Sequence, residues 1–98
     1  MIRHIAMFHL TEAADRDGRD KVFGAMKASV ENMNGKIPGL IRAELGLNIS
    51  GGPHDIIMYC EFEDEKSCRD FSEHPLHAAH REKMKEYVSD RVCADYEV

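Results

Sequence analysis

Two periodicities of hydrophobic residues divide this chain into strands and helices. Alternating apolar positions predict strands over residues 2–10, 40–49, 54–62 and 91–98. Apolar residues at steps of three and four predict a helix over about residues 16–34. The apolar stripe of this helix contains Val22, Phe23, Met26, Val30 and Met33. Residues 11–17 are mostly polar, and we interpret them as a turn that leads into the helix.

Between the third and fourth strands lie two shorter helical patterns. Acidic residues 63–65 precede Cys68 and Phe71, which are about one turn apart, and this arrangement predicts a short helix. Pro75 suits the first position of a further helix, which we expect to run to about residue 88. The apolar stripe of that helix contains Leu76, Met84, Tyr87 and Val88, together with His77 and His80. Imidazoles on a buried face must find polar partners.

The order of the predicted elements is β-α-β-β-α-β, an α+β arrangement typical of the ferredoxin-like fold. In this topology the first and third strands are central, and in this chain both of their faces are apolar. The second strand has one apolar face, formed by Ile41, Ala43, Leu45, Leu47 and Ile49. The helices can cover one face of the sheet, and a second copy of the chain is the simplest cover for the other. We therefore expect a homodimer through the sheet face.

Length and composition narrow the class of protein. A chain of 98 residues is long enough for one domain, so we expect a single domain over residues 1–98. A net charge of −5 and the lack of any basic run argue against nucleic acid and anionic membranes as partners. Three cysteines without a Cys-x-x-Cys pair, and no secretory pattern at the start, lead us to expect a reduced, cytoplasmic protein. The apolar runs are too short to span a bilayer.

Five short motifs in this order resemble a known family. They are Met-Ile-Arg-His-Ile at residues 1–5, Ile-Pro-Gly at 37–39, Glu-Phe-Glu-Asp at 61–64, His-Pro-Leu-His at 74–77 and Asp-Tyr-Glu-Val at 95–98. Together, at this spacing, they resemble the stress-responsive A/B barrel (Dabb) domain over essentially the whole chain. The resemblance implies a dimeric α+β barrel, in which two ferredoxin-like protomers pack their sheets face to face with the helices outside.

The resemblance also implies candidate residues. Some relatives, the plant olivetolic acid cyclases among them, bind a polyketide between sheet and helices and catalyse an aldol-type closure. His77 matches their catalytic histidine, and His4 matches a histidine that lines their pocket. The chain departs from the cyclases at Phe71, where they carry a tyrosine, and at Ile56, which corresponds to their third-strand histidine. His80 stands where the family usually has an aromatic or aliphatic residue, and the tryptophan of related haem-degrading proteins is absent.

His77 has three interpretations, one of which is contact with a ligand without chemistry, and His4 has two. His77 is a general base if an apolar pocket tunes its imidazole, which titrates near neutral pH. The structural interpretation, which is the more common role of a histidine, is a ring that hydrogen-bonds a carbonyl or carboxylate and fixes the helix start. His4 lies on the helix-facing side of a central strand, where it would reach His77 or His80. We favour a hydrogen-bonded core residue over a catalytic partner for His4.

A ligand cavity between the sheet and the helices is the second candidate site. Besides His80, we expect its walls to be formed by Phe8, Phe23, Met26, Val30, Met58 and Phe71. The same apolar residues also suit an ordinary hydrophobic core, which is the more frequent role of such stripes. Methionines fit either interpretation, because their side chains adapt to irregular surfaces.

Metal and thiol chemistry are less favoured by the sequence. His77 and His80 are three residues apart, and with His4 they would offer three imidazoles to a metal ion. The chain has no His-Glu-x-x-His motif and no obvious carboxylate companion, so we expect no metal and no cofactor. Cys68 follows an acidic turn, which raises a thiol pKa, so we expect no reactive thiolate there.

Two functions therefore remain as hypotheses. In the first, the protein is a binding or stress-associated protein that holds a small apolar ligand without converting it. In the second, it is a lyase, isomerase or polyketide-cyclase-like enzyme that acts on a carbonyl compound with His77 as general base. The missing tyrosine at position 71 favours the first hypothesis.

Overall fold

The computed structural model describes residues 1–98 as four strands and four helices. In chain order they are β1 (Ile2–Leu10), α1 (Glu12–Asp17), α2 (Arg19–Glu31), β2 (Leu40–Leu47), β3 (Ile56–Phe62), α3 (Glu65–Phe71), α4 (Pro75–Met84) and β4 (Val88–Glu97). The four strands form one antiparallel sheet in the order β2-β3-β1-β4. The ferredoxin-like plan predicted from the sequence is confirmed, with the first and third strands in the centre.

Helix α2 and the two central strands form the core. Val22, Met26 and Val30 are buried on one stripe of α2, as their spacing predicts. They pack with the inward residues of β3, which alternate with the outward ones along the strand. The fully buried inward residues of β3 are Ile56, Cys60 and Phe62. Burial of these apolar side chains supplies the main stabilising free energy of the fold.

The turn predicted at residues 11–17 is instead the short helix α1. The carbonyl of Thr11 accepts hydrogen bonds from the amides of Ala14 and Asp15, at 3.0 and 3.3 Å, which begins the helix. Ala14 is fully buried, so this single turn closes one end of the core. Gly18, at a φ of +100°, separates α1 from α2 in a conformation that other residues rarely adopt. The sequence did not indicate this helix, because its residues are mostly polar and only Ala14 points inward.

The apolar face predicted for β2 is wrong at its two ends. A β-bulge between Leu40 and Arg42 shifts the register against β3, so Leu40 points into the core and Ile41 is half exposed. The strand also ends at Leu47, and Ile49 beyond it is 98% exposed. Ala43 and Leu45, in the middle of the strand, are buried as predicted.

The boundary between α4 and β4 lies earlier than the sequence indicates. Helix α4 ends at Met84 rather than near residue 88, and β4 begins at Val88 rather than at residue 91. The amide of Tyr87 closes a turn on the carbonyl of Met84 at 2.9 Å, and the carbonyl of Tyr87 accepts from the amide of Thr11 at 3.0 Å. The local turn and the tertiary hydrogen bond from Thr11 together override a periodicity that would otherwise continue the helix.

Gly39 allows the loop before β2 to pass close to α3. Its φ is +79°, and a side chain there would overlap the hydroxyl of Ser67. The carbonyl of Gly39 accepts from the amide of Glu63 at 2.9 Å, which ties the loop to the end of β3. The carboxylate of Asp64 caps α3 by accepting a hydrogen bond from the amide of Ser67 at 2.8 Å. This hydrogen bond holds the pKa of Asp64 below its usual value.

One face of the sheet carries no helix. Its outward residues include Ile5 and Met7 on β1, Ile57 on β3, and Val92 and Tyr96 on β4. Val92 and Tyr96 are 43% and 45% exposed, so this face is partly apolar and open. None of the helices has the length and hydropathy needed to cross a lipid bilayer.

Candidate functional site

Two cavities meet at His77. The first, which we call the sheet-helix pocket, has a volume of about 230 Å³ and is lined mainly by Phe8, Met26, Leu45, Met58, His80 and Met84. The second, the edge groove, has a volume of about 510 Å³ and runs along β4, lined mainly by His4, Cys68, Phe71, Arg91, Cys93 and Asp95. Two residues, His77 and Arg91, line both cavities.

The start of α4 fixes the position of His77. Pro75 occupies the first turn of the helix, and the ring Nδ1 of His74 accepts a hydrogen bond from the amide of Leu76 at 3.1 Å. His77 and His80 then follow at three residues' distance, which places them on one side of the helix. Their ring centroids are 6.3 Å apart.

The ring of His77 packs against Phe71, with centroids 4.3 Å apart, and is half buried. Its Nδ1 lies 3.4 Å from the carbonyl oxygen of Ser72 and 3.3 Å from Nη1 of Arg81. Arg81 also donates to the carbonyl of Ser72 at 3.0 Å, so one backbone oxygen holds both side chains. Burial lowers the pKa of His77 below 6.5, and the Ser72 carbonyl opposes this only in part.

The ring of His80 is held by a contact with α2. Its Nδ1 lies 2.8 Å from the hydroxyl of Ser29. Burial lowers the pKa of His80 to about 4, with His77 and Lys83 acting in the same direction. Both imidazoles that face the sheet-helix pocket are therefore neutral at pH 7, so they offer hydrogen bonds to a ligand rather than positive charge.

His4 has a partner on the opposite strand. Its Nδ1 lies 2.5 Å from Oδ1 of Asp95, because the β1–β4 register places these two residues directly opposite each other. The ring is buried, and its edge faces Phe71 at a centroid distance of 6.3 Å. Phe71 contacts both His4 and His77, and no hydrogen bond joins these two histidines. His4 is thus a buried histidine whose Nδ1 has a hydrogen-bond partner.

The three cysteines differ in burial: Cys60 is buried, Cys68 is partly exposed and Cys93 is exposed. Burial raises the pKa of the Cys60 thiol to about 12. Burial is also the first cause that raises the pKa of Cys68 to about 11, and the charge and hydrogen bond of Asp95 add to it. The sequence indicated a raised thiol pKa at Cys68 but attributed it to the acidic turn. No thiolate is present in either residue at neutral pH.

The predicted lining residues distribute over three places. Phe8, Met26, Met58 and His80 line the sheet-helix pocket, while His4 and Phe71 line the edge groove. Val30 is fully buried in the core and Phe23 packs against the core, and both lie outside these two cavities. His9 and His54 stack on each other with centroids 4.7 Å apart and line neither cavity.

Several residues of the site were missed by sequence reasoning. Leu45, Met84 and Val88 complete the apolar walls of the pocket, and Arg81, Lys85 and Arg91 surround it. Asp95 was missed because only the pairing of β1 with β4 identifies it. Aligning the two ends of the chain antiparallel places residue 95 opposite residue 4, so that signal was present in the sequence.

The potential metal ligands that lie close together are not the three histidines considered from the sequence. His77 and His80 neighbour each other, but His4 is directed to Asp95 instead. The group of potential ligands that does converge consists of His4, Cys68 and Asp95, whose donor atoms all lie within 4.8 Å of one another.

Comparisons with known proteins agree with this architecture. The chain is 31% identical to an uncharacterised protein of Streptomyces coelicolor, over 99% of both chains. It superimposes with a TM-score of 0.87 on a dimeric protein of unknown function with a ferredoxin-like fold from Bacteroides fragilis, at 28% identity, covering 99% of this chain and 95% of that one. A Dabb family protein with a ferredoxin-like fold from Mesorhizobium loti, 22% identical, shares the fold with a TM-score of 0.75 over 99% and 95% of the two chains.

The family model agrees with the motifs noted in the sequence. The model of the stress responsive A/B barrel domain matches residues 2–98, which includes every strand and helix of the structure. The chain belongs to the stress-responsive A/B barrel (Dabb) domain family.

Proposed function

We propose that this protein is a cytoplasmic homodimer that binds a small, largely apolar molecule in the sheet-helix pocket. The observation that carries the proposal is the composition of that pocket, in which apolar walls meet two neutral imidazoles. Ligand sites in proteins typically combine apolar walls with a few placed polar groups. The three cysteines are free, which fits a reducing compartment.

The walls favour a ligand of modest size. Phe8 and Leu45 give rigid apolar surface, while Met26, Met58 and Met84 supply side chains that adapt to the shape of a bound molecule. A volume of about 230 Å³ lies below the range of about 300–1,000 Å³ typical of drug-sized ligands. We therefore propose a small ligand rather than an extended chain.

The polar groups favour a carbonyl or another hydrogen-bonding group at one end of the ligand. His77 and His80 are neutral and half buried, so a hydrogen bond from either ring to a carbonyl is not weakened by full exposure to water. Arg81, Lys85 and Arg91 stand beside the pocket, with Asp90 as the single carboxylate among its lining residues. This excess of positive charge also suits an electron-rich group on the ligand.

The homodimer is supported by the uncovered face of the sheet. Ile5, Met7 and Ile57 lie on this face with Val92 and Tyr96, and an apolar sheet face needs a second layer. The similar protein from Bacteroides fragilis is described as dimeric. A second copy of this chain, packed sheet to sheet, is the cover that we propose.

The second candidate is an enzyme with His77 as general base. The observation that favours it is the position of Nδ1 beside the carbonyl of Ser72. A proton on Nδ1 would be donated to that carbonyl, and Nε2 would then carry the lone pair that removes a proton from a substrate. Nη1 of Arg81, 3.3 Å from the same Nδ1, can only donate and favours the opposite tautomer. Against this stands Phe71, which contacts His77 but has no hydroxyl to polarise a carbonyl.

Native mass spectrometry of protein purified without a histidine tag tests the binding proposal. We expect a dimer that carries a stoichiometric organic adduct. Val88→Phe, which fills part of the pocket, should lose the adduct, whereas Ala79→Phe, which adds the same ring on the exposed side of α4, should retain it. A bare dimer, or equal retention by both variants, would contradict the pocket, and a monomer at micromolar concentration would contradict the dimer.

His77→Ala separates binding from catalysis once the adduct is identified. If the protein only binds the ligand, incubation with the identified compound leaves it chemically unchanged in both wild type and variant. An enzyme would convert the compound, and His77→Ala would abolish conversion while the melting temperature stayed the same. A lower melting temperature without any conversion would assign His77 a structural role.

A further inference from the structure

We propose that His4, Cys68 and Asp95 form a zinc-binding site in the wall of the edge groove. The three residues come from β1, α3 and β4, so folding alone brings them together. The proposal concerns the edge groove and does not rest on ligand binding in the sheet-helix pocket. A protein that binds zinc here need not bind an organic molecule there, and the reverse also holds.

The sheet register supplies two of the three ligands. His4 and Asp95 face each other across the β1–β4 ladder on the side of the sheet that carries the helices. Helix α3 crosses this side and turns Cys68 toward the same point. The donor atoms of the three side chains all lie within 4.8 Å of one another. Such convergence of residues 4, 68 and 95 is independent of any local sequence motif.

The chemistry of the donors selects the metal. Imidazole nitrogen, thiolate sulfur and carboxylate oxygen are the three ligand types that zinc accepts in proteins. Magnesium and calcium prefer oxygen alone, so the presence of Cys68 and His4 argues against both. Because the His4 side chain is only 10% exposed, its orientation is set by packing before a metal arrives. The Asp95 side chain is about half exposed and Cys68 is partly exposed, so zinc has access from the groove.

The spacing requires only a small rearrangement. Zinc–ligand distances of ~2.0–2.3 Å place tetrahedral donor atoms about 3.2–3.8 Å apart. His4 Nδ1 and Asp95 Oδ1, now 2.5 Å apart in a hydrogen bond, must separate by about 1 Å. Zinc then binds Nδ1 of neutral His4, whose ring proton is carried on Nε2, and zinc also takes the place of the thiol proton of Cys68, which leaves to the buffer. Rotation of the Asp95 carboxylate, which is half exposed, accommodates the change.

Three protein ligands leave one position for a further molecule. In zinc sites that act on a bound molecule, the fourth position is held by water or by that molecule. Here it would face the edge groove, whose walls include Cys93, Arg91 and His77. Arg91 adds a fixed positive charge, which suits an anionic fourth ligand such as a carboxylate.

Cobalt substitution and zinc analysis of the untagged, full-length protein test the site. We expect one zinc per chain after dialysis, and a thiolate-to-cobalt charge-transfer band when Co²⁺ replaces Zn²⁺. Cys68→Ser should abolish the band and weaken zinc binding by at least about 100-fold, since even the loss of an outer-shell partner costs 10–100-fold. Cys93→Ser is the matched control, because the same change lies in the same groove but outside the ligand set.

Each other outcome overturns the assignment. Equal zinc content in wild type and Cys68→Ser would mean that surface histidines hold the metal. Loss of the cobalt band in Cys93→Ser would mean that a different cysteine is the ligand. Asp95→Ala provides a second variant if Cys68→Ser fails to fold, and unchanged zinc affinity in Asp95→Ala would exclude the three-residue site.

Discussion

The helix-covered side of the sheet has two unlike halves. Over β2 and β3 it is closed, because α2 packs on inward residues such as Leu45 and Ile56 that are almost entirely buried. Over the β4 edge it is open, and every residue of β4 beyond Val88 is exposed. The inward positions of β4 carry Cys93 and Asp95, which are too small or too polar to fill the space under α3 and α4. The edge groove is the result.

This difference shows that, in this small domain, the residues that stabilise the fold and the titratable residues lie in different halves of the sheet. The closed half contains apolar residues that fit each other, so it supplies most of the stability. The open half collects the titratable groups, among them His4, His77 and Asp95, because polar side chains remain satisfied where space and water are available. We therefore expect truncations in the closed half to cost the most stability, and mutations in the open half to act on stability only where they break a buried polar contact.

The largest expected contrast between the two halves is in core truncation. Ile56→Ala removes a fully buried side chain of β3 and should lower the free energy of unfolding by about 2–5 kcal/mol. Cys93→Ala, on the same side of the sheet in the open half, should change it by less than about 0.5 kcal/mol. Urea unfolding at one fixed protein concentration measures both values, since a dimer makes stability depend on concentration.

A result with the order reversed would contradict the division into halves. If Cys93→Ala cost as much as Ile56→Ala, the β4 edge would have to be buried in solution. A second copy of the chain covering that edge would then be part of the folding unit.

The sequence predicted the sheet and the main helix well, because their signals are local. Alternation over residues 2–10 and the stripe of Val22, Met26 and Val30 are each read within one element. The bulge at Ile41 and the end of α4 at Met84 were not predicted, because both depend on contacts with distant parts of the chain. A register shift or a tertiary hydrogen bond leaves no periodic trace.

The site was predicted in part for the same reason. The helix start at Pro75 and the three-residue spacing are local signals, and they correctly indicate that His77 and His80 share one face of α4. The pairing of His4 with Asp95 spans almost the whole chain, so no local pattern carries it. Which apolar residues line a cavity and which fill the core, as Val30 does, is decided by the exact fit of neighbouring side chains.

A second contrast concerns the polar contact that crosses the open half. Asp95→Ala leaves the buried ring of His4 without its partner, and should lower the free energy of unfolding by about 1–3 kcal/mol. Asp95→Asn keeps an acceptor oxygen and should recover much of this loss. The control is Asp70→Ala, which breaks an exposed pair with Lys66 and should cost at most about 1 kcal/mol.

Thermal unfolding of the three aspartate variants at neutral pH makes this measurement. Equal losses in Asp95→Ala and Asp70→Ala would show that His4 finds water or another partner when Asp95 is removed. The ring would then contribute to the open half only as a surface group, and its burial would have no energetic consequence.

The smallest expected effect is the pH dependence that His80 gives to stability. The pKa of His80 falls from 6.5 to about 4 on folding, so between these values the unfolded chain binds the extra proton. The free energy of unfolding should therefore be unaffected by this ring above pH 6.5 and decrease as the pH falls, until the loss is complete below about pH 4. Full burial would make the loss about 3 kcal/mol. Solvent at this half-buried ring reduces it to about 1–2 kcal/mol.

His80→Phe isolates this contribution, because phenylalanine fills similar space and does not titrate. The variant should lose about 1–2 kcal/mol less than wild type between pH 6.5 and 4 in urea unfolding. Asp17, Asp64 and Glu82 also have lowered pKa values, but wild type and His80→Phe share these carboxylates, so their contributions cancel in the difference between the two proteins. Parallel pH profiles for wild type and His80→Phe would show that water reaches the ring freely, and the sheet-helix pocket would then be part of the open half.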